Sequence, residues 1–291
     1  MAEAIAKALD RQAWLEETSD ALQPAIKECF EAGGEAGQAV KNFLHGKWLG
    51  HPLHPVLTDV PLGAWTAALA LDAMEMTTGR KELGAGADAA IAVGLVGAVG
   101  AAVTGLTDWS ETDGRARKVG ITHGLLNLGA ALLYGTSLAV RNRKSRNARV
   151  GLAMLGYAVS SASAYLGGHL VFGEQIGVDH TAHYHLPDGF ARVLPDADLR
   201  EGELKRADAN GVPVLLVRRG GEIHALVETC SHLGGPLSEG KLEGNTVRCP
   251  WHGSRFCLED GSVVDSPATS PQPRFETRVR DGQIEVRTAD R

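Results

Sequence analysis

The sequence predicts a multidomain protein with two unlike parts, an all-α four-helix transmembrane bundle followed by an all-β domain of antiparallel sheets. Three observations carry that expectation. Four apolar segments, residues 56–76, 89–106, 119–140 and 150–172, follow one another with short loops between them, and the last two hold no formal charge over more than the ~20 residues that cross a hydrocarbon core. After Pro187 the period changes, and short β-branched runs alternate with glycine-bearing turns, as in antiparallel strands. Within that second region, two stretches each bring one cysteine and one histidine together among glycines and prolines.

In chain order, residues 1–48 form an amphipathic helical segment. Ile5 and Leu9, then Leu22, Ile26 and Phe30, recur at helical spacing. Thr18-Ser19-Asp20 reads as the start of the second helix, with Pro24 in its first turn. The segment holds more acidic than basic residues, so its apolar face is expected to pack on protein rather than on anionic lipid. Gly33, Gly34 and Gly37 break the pattern. No signal peptide is expected, because the first forty residues contain no uninterrupted apolar stretch.

Residues 49–175 form the bundle. A soluble bundle helix needs a polar outer face, whereas these segments are apolar all round. The second span sets glycines at 94, 97 and 100 among alanines, which suits close helix packing in lipid. The first is interrupted by Asp59, Pro61 and Asp72, and Asp72 and Glu75 are expected at its aqueous end. The loop at 141–146 is basic. Lys and Arg near the spans are in slight excess on the side of the first and third loops, which favours both termini outside, but no twin-arginine signal for exporting a folded domain is seen, so the membrane face of the β domain stays open. A bacterial plasma membrane, crossed several times, is the expected location.

Residues 176–188 are a polar linker in which His180, His183 and His185 are expected in a solvated hinge. The β domain, 189–291, is expected to place strands at 212–217, 223–227, 246–249, 263–264, 277–280 and 284–286. Gly220-Gly221, Glu259-Asp260-Gly261 and Asp281-Gly282 serve as turns between them. With 291 residues and a net charge of −6, a general nucleic-acid binder is excluded, since phosphate contacts need a surplus of Lys and Arg. Of the four cysteines, Cys29 and Cys257 stand apart, which excludes a disulfide framework. Cys257 is expected as a buried thiol without a partner.

The stretches themselves read Cys230-Ser231-His232-Leu233-Gly234-Gly235-Pro236 and Cys249-Pro250-Trp251-His252-Gly253. Thiolate plus imidazole is a ligand set for zinc or for iron–sulfur chemistry. Two features favour a cluster. Each loop supplies one ligand of each kind, and the glycines and prolines let the backbone turn back over the sulfurs.

Cys-x-His-Leu-Gly-Gly-Pro with Cys-Pro-Trp-His-Gly-Ser resembles the Rieske [2Fe-2S] family, in its ferredoxin-like branch, over about residues 190–287. The resemblance implies that Cys230 and Cys249 ligate the inner iron and His232 and His252 the outer one. It also implies that Gly235 and Trp251 stand where the high-potential branch has a loop disulfide, so none forms here. Ser254 matches a hydroxyl that bonds a bridging sulfide, while Phe256 replaces a tyrosine hydroxyl. With Gly234 and Trp251, Ser254 is therefore a cluster-tuning residue, and the implied potential is low or intermediate within the Rieske span of about −150 to +300 mV. A Rieske oxygenase would need further iron ligands downstream, and no histidine follows His252.

The bundle holds ionisable residues of its own. His51-Pro52-Leu53-His54-Pro55 precedes the first span, Asp108 ends the second, His123 opens the third and His169 closes the fourth, so in four antiparallel spans they fall on one face together with Asp59. His123 and Asn127, and likewise Tyr165 and His169, share a helix face. The segment 43–180 resembles an uncharacterised bacterial four-span membrane family that opens on His-Pro-x-His-Pro and closes on Tyr-Leu-Gly-Gly-His. Facing histidines suit haem b or another metal, with His54 opposite His123 or His169 as axial pair and His51 outside them. The alternative is that these side chains bond loop backbone and one another. The expected function is a membrane-bound one-electron carrier rather than a stand-alone catalyst, exchanging electrons with a haem, metal or quinone site in its own bundle. The rival is an anchored module that serves a separate oxygenase or reductase. The expected partners are the lipid bilayer and a redox protein or quinone, with a homo-oligomer left open.

Overall fold

The computed structural model describes residues 2–140 and 146–289, so the loop expected at 141–146 lies almost wholly outside the described residues. Two units result. The first runs to Gly37 and resumes over Pro52–Ile176; the second takes Gln38–His51 and the chain from Gly177 onward.

The first unit is helical, with α1 (Ala2–Asp10), α2 (Ala13–Ala32), the start of α3 (Gly34–Leu44), and four long helices, α4 (Leu53–Thr78), α5 (Lys81–Trp109), α6 (Gly114–Ala139) and α7 (Arg146–Phe172). Thr18-Ser19-Asp20 does not open a helix. The break falls at Arg11-Gln12, and Pro24 sits inside α2, because Thr18 and Ser19 donate their hydroxyls back to the carbonyls of Trp14 and Leu15 one turn earlier and so stay within the helix. Helices α1 and α2 pack on protein: Ala6 meets Val119 and Leu166, and Leu15 meets Trp109 and Ile121.

The four long helices close around Trp65, Ile91 and Tyr134 with alanines between them, Trp65 stacking on Tyr134 at 4.3 Å. Small residues make the approach possible. A Cβ at Gly97 would come 2.5 Å from Val60, and one at Gly156 would come 3.1 Å from the Tyr134 ring. Helices α5, Lys81–Trp109, and α7, over Asn147–Phe172, are long and apolar enough to cross a membrane. Helices α4 and α6 are as long but more polar: α4 carries Asp59, Asp72 and Glu75, and α6 carries Arg115, Arg117, Lys118 and Asn127. Asp72 and Glu75 do not mark an aqueous end. Both are buried, and Arg149 of α7 donates to Asp72 at 3.1 Å and to Glu75 at 2.6 Å.

The second unit is all-β apart from residues 38–51. A six-stranded antiparallel sheet has the order β1-β10-β9-β4-β3-β2, from β1 (Ala191–Pro195), β2 (Leu204–Ala209), β3 (Val212–Arg219), β4 (Glu222–Val227), β9 (Arg274–Arg280) and β10 (Gln283–Thr288). A smaller sheet runs β5-β6-β7-β8, from β5 (Lys241–Glu243), β6 (Thr246–Arg248), β7 (Arg255–Cys257) and β8 (Val263–Asp265). Strand β3 is buried on both faces. Val214 and Leu216 enter one core, while Leu215 and Val217 enter the other, with Phe256, Val247, Cys230 and Cys249. That second core fixes the small sheet and its loops. The three expected turns lie between β3 and β4, β7 and β8, and β9 and β10. The hairpin between β2 and β3 turns on Asn210-Gly211, both at positive φ.

Within the expected linker, His183 and His185 are exposed, but other residues pack on the β domain. Tyr184 and Leu186 pack against the first of these cores, and the Tyr184 hydroxyl lies 2.8 Å from Thr229 Oγ1.

Candidate metal centre

The first loop leaves the end of β4 and the second joins β6 to β7, and the two share one backbone design. The N–H of Cys230 donates to Gly235 O at 2.8 Å, and the N–H of Gly234 returns to Cys230 O at 2.9 Å. In the second loop the N–H of Cys249 donates to Ser254 O at 2.8 Å, and that of Gly253 returns to Cys249 O at 3.2 Å. Gly234 and Gly253 have φ of 78° and 76°, the left-handed turn that glycine adopts without cost from a Cβ. Each turn aims two N–H groups at its own sulfur, those of His232 and Leu233 at Cys230 and those of Trp251 and His252 at Cys249.

The two thiols are buried, at 1% and 4% exposure, and hydrogen-bond one another. That bond and burial raise the Cys230 thiol, whereas the bond from Cys230 lowers Cys249 to about 7. The imidazoles of His232 and His252 meet edge-on at 5.1 Å. Burial, followed by the neighbouring charge of His252, pushes His232 well below the ordinary histidine range. Gly235 closes the cradle, since a Cβ there would lie 2.8 Å from Cys249 Sγ and 3.1 Å from the Trp251 ring. Trp251, 56% exposed, covers Gly235, and all four cysteines are free.

This twice-used loop, one thiol and one imidazole each, decides the family. Through residues 189–276 the chain belongs to the Rieske [2Fe-2S] domain family. Over 93 residues the Rieske domain is 42% identical to the 3-phenylpropionate/cinnamic acid dioxygenase ferredoxin subunit of Escherichia coli (strain K12), covering 32% of this chain and 87% of that protein. It is 36% identical over 99 residues to apoptosis-inducing factor 3 of Homo sapiens, where 34% of this chain spans only 16% of the relative. The solved ferredoxin of carbazole 1,9a-dioxygenase from Nocardioides aromaticivorans IC177 is 26% identical, with 34% of this chain and 98% of that chain covered and a TM-score of 0.33. Residues 50–180 match a family described as predicted membrane protein (DUF2231).

The Rieske loops rest on residues that carry no motif. Gln272, buried, accepts the N–H of Ser231 at 3.0 Å and donates to Val227 O at 2.7 Å and to Thr229 O. Ser231 donates to Ser270 O at 2.8 Å, and Ser238 donates to Glu228 at 2.7 Å. Ser254 is fully buried, and its Oγ accepts the N–H of Ala268 at 3.0 Å. His45, Lys41 and His180 sit close enough to His232 for their charges to act on it. No spacing rule marks these residues, because they come from distant segments. Cys257 is half-buried, and it has a partner in Asp260, whose carboxylate is held below the ordinary range by Ser262 foremost and by Cys257 to a lesser degree.

The bundle histidines are differently placed. His54 and His123 do meet, at 6.2 Å and edge-on. Yet His54 Nδ1 lies 2.8 Å from Ala101 O, and His123 Nδ1 lies 2.8 Å from Ser163 O while its Nε2 lies 3.1 Å from Asn127 Nδ2. Both nitrogens of His123 are thus engaged, and His54 and His123 lie close over Gly105 and Gly167. An axial haem ligand needs a free ring nitrogen, so this pair does not fit haem b. His169 turns to Glu174 at 3.4 Å. Tyr165 and Asp59 are exposed rather than gathered with the histidines, and His51 belongs to the Rieske unit. Among the described residues no three His, Cys, Asp or Glu side chains converge as a single-ion site, the linker histidines included.

Proposed function

We propose that the chain is a membrane-held one-electron carrier in which Cys230 and Cys249 hold one iron of a [2Fe-2S] cluster and His232 and His252 hold the other. The observation that carries this reading is the pairing: thiol beside thiol and imidazole beside imidazole, which matches the two-thiolate, two-imidazole division of a Rieske cluster. When bound, the cluster supplies a reversible one-electron site. The chain does the rest. Four backbone N–H groups stabilise sulfur charge, Ser254 and Gly234 shape the loops, and the two half-buried imidazoles form the edge through which an electron passes, with Trp251 beside them.

The match to a membrane family and the apolar residues exposed along all four long helices support a four-span, multi-pass anchor in a bacterial plasma membrane. These include Val56 and Val60 on α4, Val96 and Val99 on α5, Leu128 and Leu132 on α6, and Leu155 on α7. The E. coli relative is a dioxygenase ferredoxin subunit, which supports a separate redox partner protein, such as an oxygenase or reductase. Exchange with a haem ligated by His54 and His123 or His169, or with a quinone beside them, is the weaker reading, because both ring nitrogens of His123 already serve Ser163 and Asn127.

The test is the detergent-purified protein, oxidised and dithionite-reduced. A [2Fe-2S] EPR signal of Rieske type is expected, with iron as the only metal and no Soret band. Zinc in place of iron would overturn the cluster, and a Soret band that disappears in His123→Ala would overturn the separate-partner reading.

A further inference from the structure

Residues 38–51 precede the bundle in sequence but pack with the Rieske domain. The contacts are specific. Asn42 Nδ2 donates to Asp265 Oδ1 at 3.1 Å, while its Oδ1 accepts the backbone N–H of Ser266 at 2.8 Å and the side chain of Gln38 at 3.0 Å. Lys47 Nζ donates to Val264 O at 2.6 Å. Gly46 and Gly50, at φ of 83° and 79°, bracket the short 3-10 turn that carries Lys47.

The segment so held, 264–266, runs directly into Ala268, whose N–H donates to Ser254 Oγ. Ser254 also accepts the N–H of Cys249 through its carbonyl. With the Ala268 N–H donating to one lone pair of Ser254 Oγ, the hydroxyl proton points away from Ala268.

We propose that residues 38–51 are a strap belonging to the metal centre, in which Asn42 is a positioning residue that fixes 265–268 and thereby orients the Ser254 hydroxyl. The inference rests on the cluster reading above. Hydrogen-bond donors favour the reduced, more negative centre, so the strap raises the potential. A segment ahead of the membrane helices therefore sets a property of the domain that follows them.

The experiment uses the full-length protein with Asn42→Ala and, separately, Lys47→Met, which keeps the apolar stem. Hydrogen exchange across 262–270 reads the strap without reference to the cluster, and an EPR-monitored redox titration reads the potential. Both variants should speed exchange at Ser266 and Ala268 by about five- to tenfold, the equivalent of one net hydrogen bond. Asn42→Ala should lower the midpoint potential. Wild-type exchange in both variants would overturn the strap, and faster exchange with an unchanged potential would overturn its tuning role. A wild-type protein lacking the Rieske signal would overturn the cluster reading instead, and the exchange measurement would still decide whether the strap exists. Should Asn42→Ala fail to fold, Lys47→Met carries both measurements.

Discussion

Both units of this chain bury polar side chains, and they use them in opposite ways. In the helical unit several buried polar groups are held by protein groups on other helices: Arg149 bridges Asp72 and Glu75, His123 reaches Ser163 and also Asn127 of its own helix, and His54 reaches Ala101 O. In the Rieske unit, Cys230, Cys249, His232 and His252 are turned toward one another while the backbone, Gln272 and Ser254 hold the loops that carry them. A pair of facing histidines occurs in each unit, at 6.2 Å and 5.1 Å. The ring contact is therefore not what makes a ligand site. What matters is whether the ring nitrogens are already engaged by the protein, and whether thiols stand beside them.

The contrast can be broken most sharply at a thiol. Cys249→Ser should abolish the visible and EPR signals of the cluster altogether while leaving the helical unit folded, as read by iron content and circular dichroism; retention of the signal would remove Cys249 from the ligand set. Next in size is the buried ion pair of the bundle. Arg149→Met leaves two buried carboxylates without their guanidinium and should destabilise the protein by about 3–5 kcal/mol in detergent unfolding, with an unchanged cluster spectrum. A spectral change there would mean that the bundle takes part in the redox site.

The smallest effect belongs to an ion pair on the sheet. Glu285 accepts from Arg278 at 2.7 Å and from Arg192 at 3.4 Å, and Arg278, foremost, holds its carboxyl below the ordinary range. A lowered carboxylate stabilises the fold above the pH at which the unfolded glutamate ionises, and that contribution disappears as pH falls through the folded value. Glu285→Gln should therefore flatten the acid limb of a stability–pH curve and change little near neutrality, in contrast to Arg149→Met.

Much of this was legible in advance because it depends on local rules. The cysteine–histidine loops lie within short stretches, and glycines at their turns mark the left-handed positions. The four long helices follow from long, largely apolar runs, of which only the first is interrupted by Asp59, Pro61 and Asp72. The Asn210-Gly211 turn and strand β2 were missed, although that dipeptide is a hairpin signal, since Leu204–Ala209 alternates with charged residues on a half-exposed edge. Other features were misplaced for a physical reason. Asp72 and Glu75 read as an aqueous end because their partner, Arg149, lies on another helix, and no sequence rule joins residues so far apart.

The sequence by itself determined the kind of metal chemistry and the two architectures, since both rest on spacing within single segments. Only the tertiary structure decided which histidines are spent on the fold and which stand beside thiols, because that depends on what each ring nitrogen meets across helices and loops. It also decided that residues 38–51 belong with the Rieske domain and not with the helices around them. Asn42 meets Asp265 and Ser266 through hydrogen bonds that bring together residues more than two hundred positions apart, and such pairings are made by folding, not by proximity along the chain.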